Sequence, residues 1–292
     1  MRRISAIALV IIMCFVFSAC DSENMKDAKE AISNGDYKAA VEYLEKEEEL
    51  NEKGASLLEE AKANVALEEK KYDEAILHII KTDDGKESDL YATATKKLID
   101  TGLKSGETDG VVAVVNEDDD FRQVVVKKVK TACSNLNYNG FKLLDRLRTS
   151  IKDKEIQEDL ESYYEKNKLN KPKAFLLGNW RWDKGGKETE TTVEVTTYKD
   201  ELIGTVILVG DKEKEFQIKI DDVYWSDFEF SGENKFTCTS LCKNRDGLEV
   251  QCTTIGRIDY SKDTVKLHLT PPSPFTMDSD SSDRTFIKVY QQ

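Results

Sequence analysis

The 292-residue chain carries 56 acidic against 43 basic side chains, a net charge of −13, and 39% of its residues are hydrophobic. That polarity describes a water-facing globular chain long enough for two ordinary domains, and its charge repels a phosphate backbone. No basic stripe with interleaved aromatics offsets the repulsion, because Lys127, Lys128 and Lys130 read as the wet face of a helix, so nucleic acid is excluded as a partner.

In chain order, Arg2 and Arg3 stand before an almost unbroken apolar run over 4–17. The run suits the apolar core of an export signal and is shorter than the ~20 residues that a membrane-spanning helix needs. Phe17-Ser18-Ala19-Cys20 follows. It resembles the lipobox of bacterial lipoproteins, in which small residues precede a Cys that is acylated and becomes the mature N-terminus; Phe17 stands where an aliphatic residue is usual. The resemblance implies a signal peptide over 1–19, lipid on Cys20, a tether over 20–24, and anchorage to the outer face of a membrane in the bacterial cell envelope. Several acyl chains together hold a protein stably at a bilayer where one does not. Loss of Arg2 and Arg3 takes the net charge to −15, unevenly spread, with −11 over 20–170 and −4 over 171–292.

Helical periodicity begins near residue 25. Set against itself at an offset of 35, the chain aligns Ala28 with Ala63, Ala31 with Ala66, Ile32 with Leu67, Tyr37 with Tyr72, Ala40 with Ala75, Val41 with Ile76 and Leu44 with Ile79. Every aligned position is small or apolar and falls at helical spacing, which predicts a repeated two-helix unit broken at Asn34-Gly35-Asp36. One such pair cannot bury its apolar face alone, so neighbours must stack. Gly35, Asp36, Tyr37, Ala40 and Leu44 resemble the hallmark of the tetratricopeptide repeat family; the second copy keeps Tyr72, Ala75 and Ile79 but has Lys70-Lys71 in place of Gly-Asp. The resemblance implies an α-solenoid domain over 25–170 that holds a protein or peptide partner. Further helices are expected over 88–104 and 118–133, from Asn139-Gly140, and around Ile156, Leu160 and Tyr163, with a short apolar piece over 111–115. The acidic run 117–120 suits a helix N-terminus, where the dipole favours negative charge.

Near Pro172 the period changes from 3.6 to 2. Strands are predicted over 179–183, 192–198, 202–209, 215–220, 227–230, 235–242, 248–258, 264–269 and 284–290, with turn chemistry at Lys199-Asp200, Asn244–Gly247 and Lys262-Asp263. Nine short strands with one wet and one buried face predict an antiparallel meander over 174–292, and closure into a barrel removes its edges. Leu177-Gly178-Asn179-Trp180 at the first strand, with Arg284 opening the last, resembles the calycin pattern of lipocalins. It implies a barrel in which Trp180 crosses the closed end and a basic side chain of the last strand, here Arg284, lies over the indole. Alternation instead puts Ile287 and Val289 on the face opposite Arg284. The fold class is therefore α plus β in separate domains: a tetratricopeptide-like solenoid, then a lipocalin-like barrel.

Candidate chemistry is sparse. His78 falls where Tyr43 stands in the first repeat and reads as packing, and His268 lies on the wet face of its strand. Neither has Cys or carboxylates at metal-ligand spacing, and no nucleophile–histidine arrangement stands out, so no catalytic group, metal or cofactor is expected. Once Cys14 leaves with the signal and Cys20 is acylated, Cys133 stands alone, while Cys238, Cys242 and Cys252 fit a cross-strand disulfide (Cys238–Cys252 or Cys242–Cys252) or buried free thiols better than zinc. Asp278, Asp280 and Asp283 lack the Gly and Glu of a calcium loop and read as a solvated loop. Trp182, Trp225, Phe228 and Phe230 are the residues available to line a pocket, or simply to fill a core. These features point to a non-enzymatic binding or scaffold protein; a carrier of a small apolar ligand is the alternative, and an envelope hydrolase, for want of histidines, comes third.

Overall fold

The computed structural model describes residues 22–82, 84–183, 190–210, 214, 218–243, 249–261, 263–269 and 284–289. The expected signal segment over 1–19, Cys20, the turn expected over 244–247 and the loop expected at Asp278, Asp280 and Asp283 lie outside them. Among the described residues no helix is long and apolar enough to cross a membrane. The chain forms two compact units, one of residues up to Ala132 together with Asn139–Glu161, the other of Cys133–Tyr138 and everything from Ser162.

The first unit is helical. Helices α1 (Glu23–Ser33), α2 (Tyr37–Glu45), α3 (Glu52–Glu68), α4 (Tyr72–Ile79), α5 (Asp89–Ser105) and α6 (Asp109–Val115) follow one another, each of the first five packed on the next, with α6 on α4 and α5. The 35-residue offset is visible in the backbone. Asp36 N bonds Ala31 O and Lys71 N bonds Ala66 O, both at 2.8 Å; Gly35 has φ +76° and Lys70 has φ 61°. The same left-handed turn thus closes α1 and α3, carried once by glycine and once by a residue that is strained there. Ala28, Ala40, Ala61, Ala63 and Ala75 are wholly buried, so these helices approach closely on small side chains. Ser22, Asp36 and Asn51 cap α1, α2 and α3 through backbone N–H groups. The apolar piece over 111–115 is α6, with Val111, Val114 and Val115 buried. Asp118 precedes α7 (Asp119–Ser134) with its side chain wholly buried; it accepts from Lys86 Nζ at 2.8 Å, Tyr91 Oη at 2.7 Å and the N–H of Asp120 at 3.0 Å. Burial raises its carboxyl, but Lys86 and Tyr91 outweigh that and hold it below the usual carboxylate range. Helices α8 (Tyr138–Ser150) and α9 (Lys154–Asn167) continue the chain.

In the second unit, α10 (Asn170–Leu176) buries Phe175 and Leu176 and leads into β1 (Gly178–Trp182). Strands β2 (Thr192–Tyr198), β3 (Glu201–Leu208), β4 (Val223–Gly232), β5 (Lys235–Lys243), β6 (Glu249–Asp259), β7 (Thr264–Leu269) and β8 (Arg284–Val289) each pair antiparallel with the next, and β8 pairs with β1 to close the barrel. Among the described residues there are eight strands where nine were expected; of the strand expected over 215–220, residues 215–217 lie outside them. Residues 218–222 carry a turn rather than a strand, because β3 pairs directly with β4, Val206 bonding to Asp222 and Asp221 across the connection. β4 also starts four residues earlier than the alternation suggests, since Asp227, at φ 51°, marks an irregularity inside it. The β2–β3 hairpin has the two-residue loop Lys199-Asp200, both at positive φ, the geometry whose twist matches the strands. This loop and the β4–β5 and β6–β7 turns sit at the end of the barrel where β1 begins.

Candidate functional site

Two cations on β8 each meet an indole of β1. Trp180 is wholly buried and donates from Nε1 to Leu176 O at 2.6 Å, tying strand to preceding helix. Its cross-strand partner is Lys288, whose Nζ lies 5.5 Å from the Trp180 ring centre, 4.9 Å from Phe175 and 5.7 Å from Tyr138, and donates to Phe175 O at 2.6 Å. Burial pushes the Lys288 amine down to about 8, with Asp263 acting the other way. The expected pairing of Arg284 with Trp180 is therefore corrected. In the β1–β8 register Trp180 faces Lys288 and Trp182 faces Phe286, which puts Arg284 beyond Trp182 and near the opposite end of the barrel. There its guanidinium stacks 4.4 Å over the Trp182 ring and donates to Tyr224 Oη at 2.9 Å. Phe286, 1% exposed, sets the inward face of β8, so Arg284 and Lys288 share that face while Ile287 and Val289 take the other. Gly178, at φ +111°, supplies the bend into β1.

The candidate pocket residues are largely core. Trp182 and Trp225 are buried, and Trp225 meets Phe286 edge-on at 4.9 Å and Tyr224 at 5.6 Å. Phe228 and Phe230 are half-buried and stacked at 6.4 Å, packed on Phe236 at 5.5 and 5.7 Å. Two glycines make room for the rings. A Cβ at Gly204 would stand 2.9 Å from Trp225 Cε3, and one at Gly256 would stand 2.1 Å from Phe236 Cζ. Glycine weakens a strand, and here the close approach of an aromatic ring explains it.

One wall of the barrel is polar. On β5 and β6 the inward positions include Cys238, Ser240, Cys252 and Thr254, all at most 2% exposed. Ser240 Oγ and Thr254 Oγ1 share a 2.6 Å hydrogen bond. Cys238 and Cys252 are buried free thiols, the second of the two expected alternatives, and the disulfide alternative between them is not formed. Cys238 pairs with Thr254 and Cys252 with Ser240, so the two cysteines sit on a diagonal, about 7–8 Å between α-carbons and too far to bridge. The backbone register gives Cys242 and Cys252 the same offset. Burial pushes the Cys238 thiol up to about 12, away from nucleophilic use. Beside this wall, Trp225 Nε1 is buried without a hydrogen-bond partner among the described residues.

In the helical unit, a half-open cleft of about 360 Å³ is lined by Tyr72, Asp73, Leu98, Gly102, Glu107 and Asp109 among others. His78 Nδ1 lies 2.7 Å from Glu59, which also meets Lys81 at 3.1 Å. Burial raises Glu59, but these two partners outweigh it and hold it below the usual range, an ion cluster joining α3 to α4. His268 is half-buried on β7. Among the described residues no group of three His, Cys, Asp or Glu could hold a metal ion.

Sequence reading missed the Lys288 cage, the Asp118 network and the polar wall. Lys288 was findable only through the β1–β8 register; the wall was foreshadowed by the alternation of Cys238 with Ser240 and of Cys252 with Thr254. Compared with protein-family models, curated proteins and solved structures, the chain matches none.

Proposed function

We propose that this protein is a lipid-anchored extracytoplasmic scaffold of the bacterial envelope, held at the membrane through Cys20, whose tetratricopeptide-like helices bind a protein or peptide and are followed by a lipocalin-like barrel. One observation carries the reading: the α1–α2 pair and the α3–α4 pair repeat each other down to the left-handed turn and its 2.8 Å bond, and α5 and α6 stack on them. Stacked helix pairs of this kind present long faces to a partner. A photo-crosslinking amino acid at Tyr72, in the cleft of the helical unit, is expected to give a discrete adduct in intact cells, whereas one at Tyr198, 60% exposed on the β2–β3 hairpin, is expected to give none. Absence of the Tyr72 adduct, or equal adducts at both positions, would end the scaffold reading. Cys20→Ala is expected to move the protein from the membrane to the soluble fraction.

A second reading, a carrier of a small ligand in the barrel, is favoured by a different observation: the buried Trp225 N–H, for which the described residues offer no acceptor.

A further inference from the structure

We propose that the barrel binds a small neutral molecule bearing a carbonyl oxygen, held against the β4–β5–β6 wall by Trp225 Nε1 and the Ser240–Thr254 hydroxyl pair. The proposal rests on the carrier reading and replaces its apolar ligand with a polar one.

Trp225 is 4% exposed, and its indole N–H has no acceptor among the described residues. Leaving a buried donor unmet costs roughly 1–3 kcal/mol, which is why nearly all such groups in native proteins have a partner. The orientation of the ring is constrained. Its Cε3 edge lies against Gly204 on β3, so Nε1, on the opposite edge of the indole, is turned away from β3. The other flank of β4 is β5, where the cross-strand partner of Trp225 is Ser240.

Ser240 in turn stands beside Cys252, and Cys238 beside Thr254. These four side chains are small and polar, in a barrel whose remaining core is large and apolar: Trp180, Trp182, Phe236 and Phe286. Ser240 and Thr254 have two hydroxyl hydrogens and one bond between them. For the second hydrogen, the described neighbour is the Cys238 sulfur, 4.0 Å from Ser240 Oγ and a weak acceptor. The wall therefore offers an indole N–H and a hydroxyl hydrogen to one oxygen atom.

That oxygen belongs to a neutral group. The described side chains that line the wall, Trp225, Cys238, Ser240, Cys252 and Thr254, are buried and uncharged, and burying an ion without a partner is far costlier than burying a carbonyl. The Cys238 thiol, pushed up to about 12 by burial and by the nearby Asp227 carboxylate, shows the same hostility to negative charge. Arg284, on β8, is engaged with Trp182 and Tyr224.

The chain has three tryptophans, so the 15N-labelled full chain shows three indole N–H signals, assigned with Trp225→Phe or, should that variant not fold, by elimination with Trp180→Phe and Trp182→Phe. The probes are 2-pyrrolidinone, a small neutral lactam, and cyclohexane. The expected result is a saturable shift of the Trp225 signal with 2-pyrrolidinone, no shift of Trp180, whose N–H is committed to Leu176 O, and no response to cyclohexane. Ser240→Ala is expected to weaken the binding about tenfold, the equivalent of one neutral hydrogen bond. A shift with cyclohexane alone would overturn the polar site while leaving an apolar carrier. No shift with either probe would overturn the polar site and the carrier reading together, with a buried water as the acceptor. The scaffold reading stands or falls separately.

Discussion

The helical unit and the barrel solve the same burial problem with opposite side chains. In the helices, alanines at 0% exposure let backbones approach, and the information lies in a turn that recurs after 35 residues. In the barrel, a few large rings fill the interior, and two glycines, Gly204 and Gly256, exist to admit them. A stacked helix pair touches mainly its neighbours, so its stability is a sum of local terms. A closed barrel has no such neighbours to spare: β8 must meet β1, and Trp180 bonds the preceding helix, packs near Phe175 and faces Lys288 at once. Damage should therefore spread through the barrel and stay local in the helices.

The strongest test of that contrast is Trp180→Ala. Removing a wholly buried indole costs about 3–5 kcal/mol, and calorimetry should show the barrel transition lowered with the helical transition in place. A common shift of both transitions would break the comparison. Gly256→Ala probes the same wall from the other side. A methyl 2.1 Å from Phe236 Cζ forces the ring to move, at about 1–3 kcal/mol. Phe236→Leu combined with Gly256→Ala should recover part of the loss in chemical denaturation; a double variant no better than Gly256→Ala alone would mean that the ring is not what the glycine serves.

Lys288 sharpens the comparison with a pH signature confined to the barrel. Its folded amine titrates near 8 because of burial, against 10.5 for an ordinary lysine. Below pH 8 both folded and unfolded chains hold the proton, and the charge must be buried on folding. Between about 8 and 10.5 the unfolded chain keeps the proton and the folded one has released it, so stability rises with pH; above that window the gain is complete. The wild-type curve minus that of Lys288→Met should rise across this window for the barrel transition. A flat difference would remove the buried-amine account.

How much of this was legible depends on the range of the signal. The helix pairs could be read because the Ala and Tyr positions recur at a fixed offset, and the barrel because Val265, Leu267 and their neighbours alternate. Both are local periodicities. What escaped depended on register between distant strands. Arg284 and Lys288 are both basic, both on β8 and both on the inward face, and only the pairing of Trp180 with Lys288 decides which cation serves which indole. The cysteines escaped in the same way: spacing along β5 and β6 brings Cys238 and Cys252 onto one face, and a two-residue offset in register keeps them apart. The orphaned Trp225 N–H has no sequence signature at all, since it follows from which edge of the ring lies on Gly204.

The smallest effect is also the one that most directly ties the repeat to physics. Gly35 and Lys70 occupy the same left-handed turn in successive pairs, at φ +76° and 61°. A residue with a Cβ is strained there by about 1 kcal/mol, and glycine is not. Glycine also has more conformational freedom to lose on folding, which opposes part of the gain. Lys70→Gly should therefore stabilise the helical unit by roughly 0.5–1 kcal/mol, visible as a higher denaturation midpoint with an unchanged slope. Gly35→Lys should lose a similar amount, because nothing stands within 4 Å of a Cβ at that position and only the backbone resists it. Equal and opposite changes would mean that the two turns are one turn used twice. A loss at both positions would mean that the Lys70 side chain contributes contacts of its own, and that the second copy has diverged in its energetics as well as in its sequence.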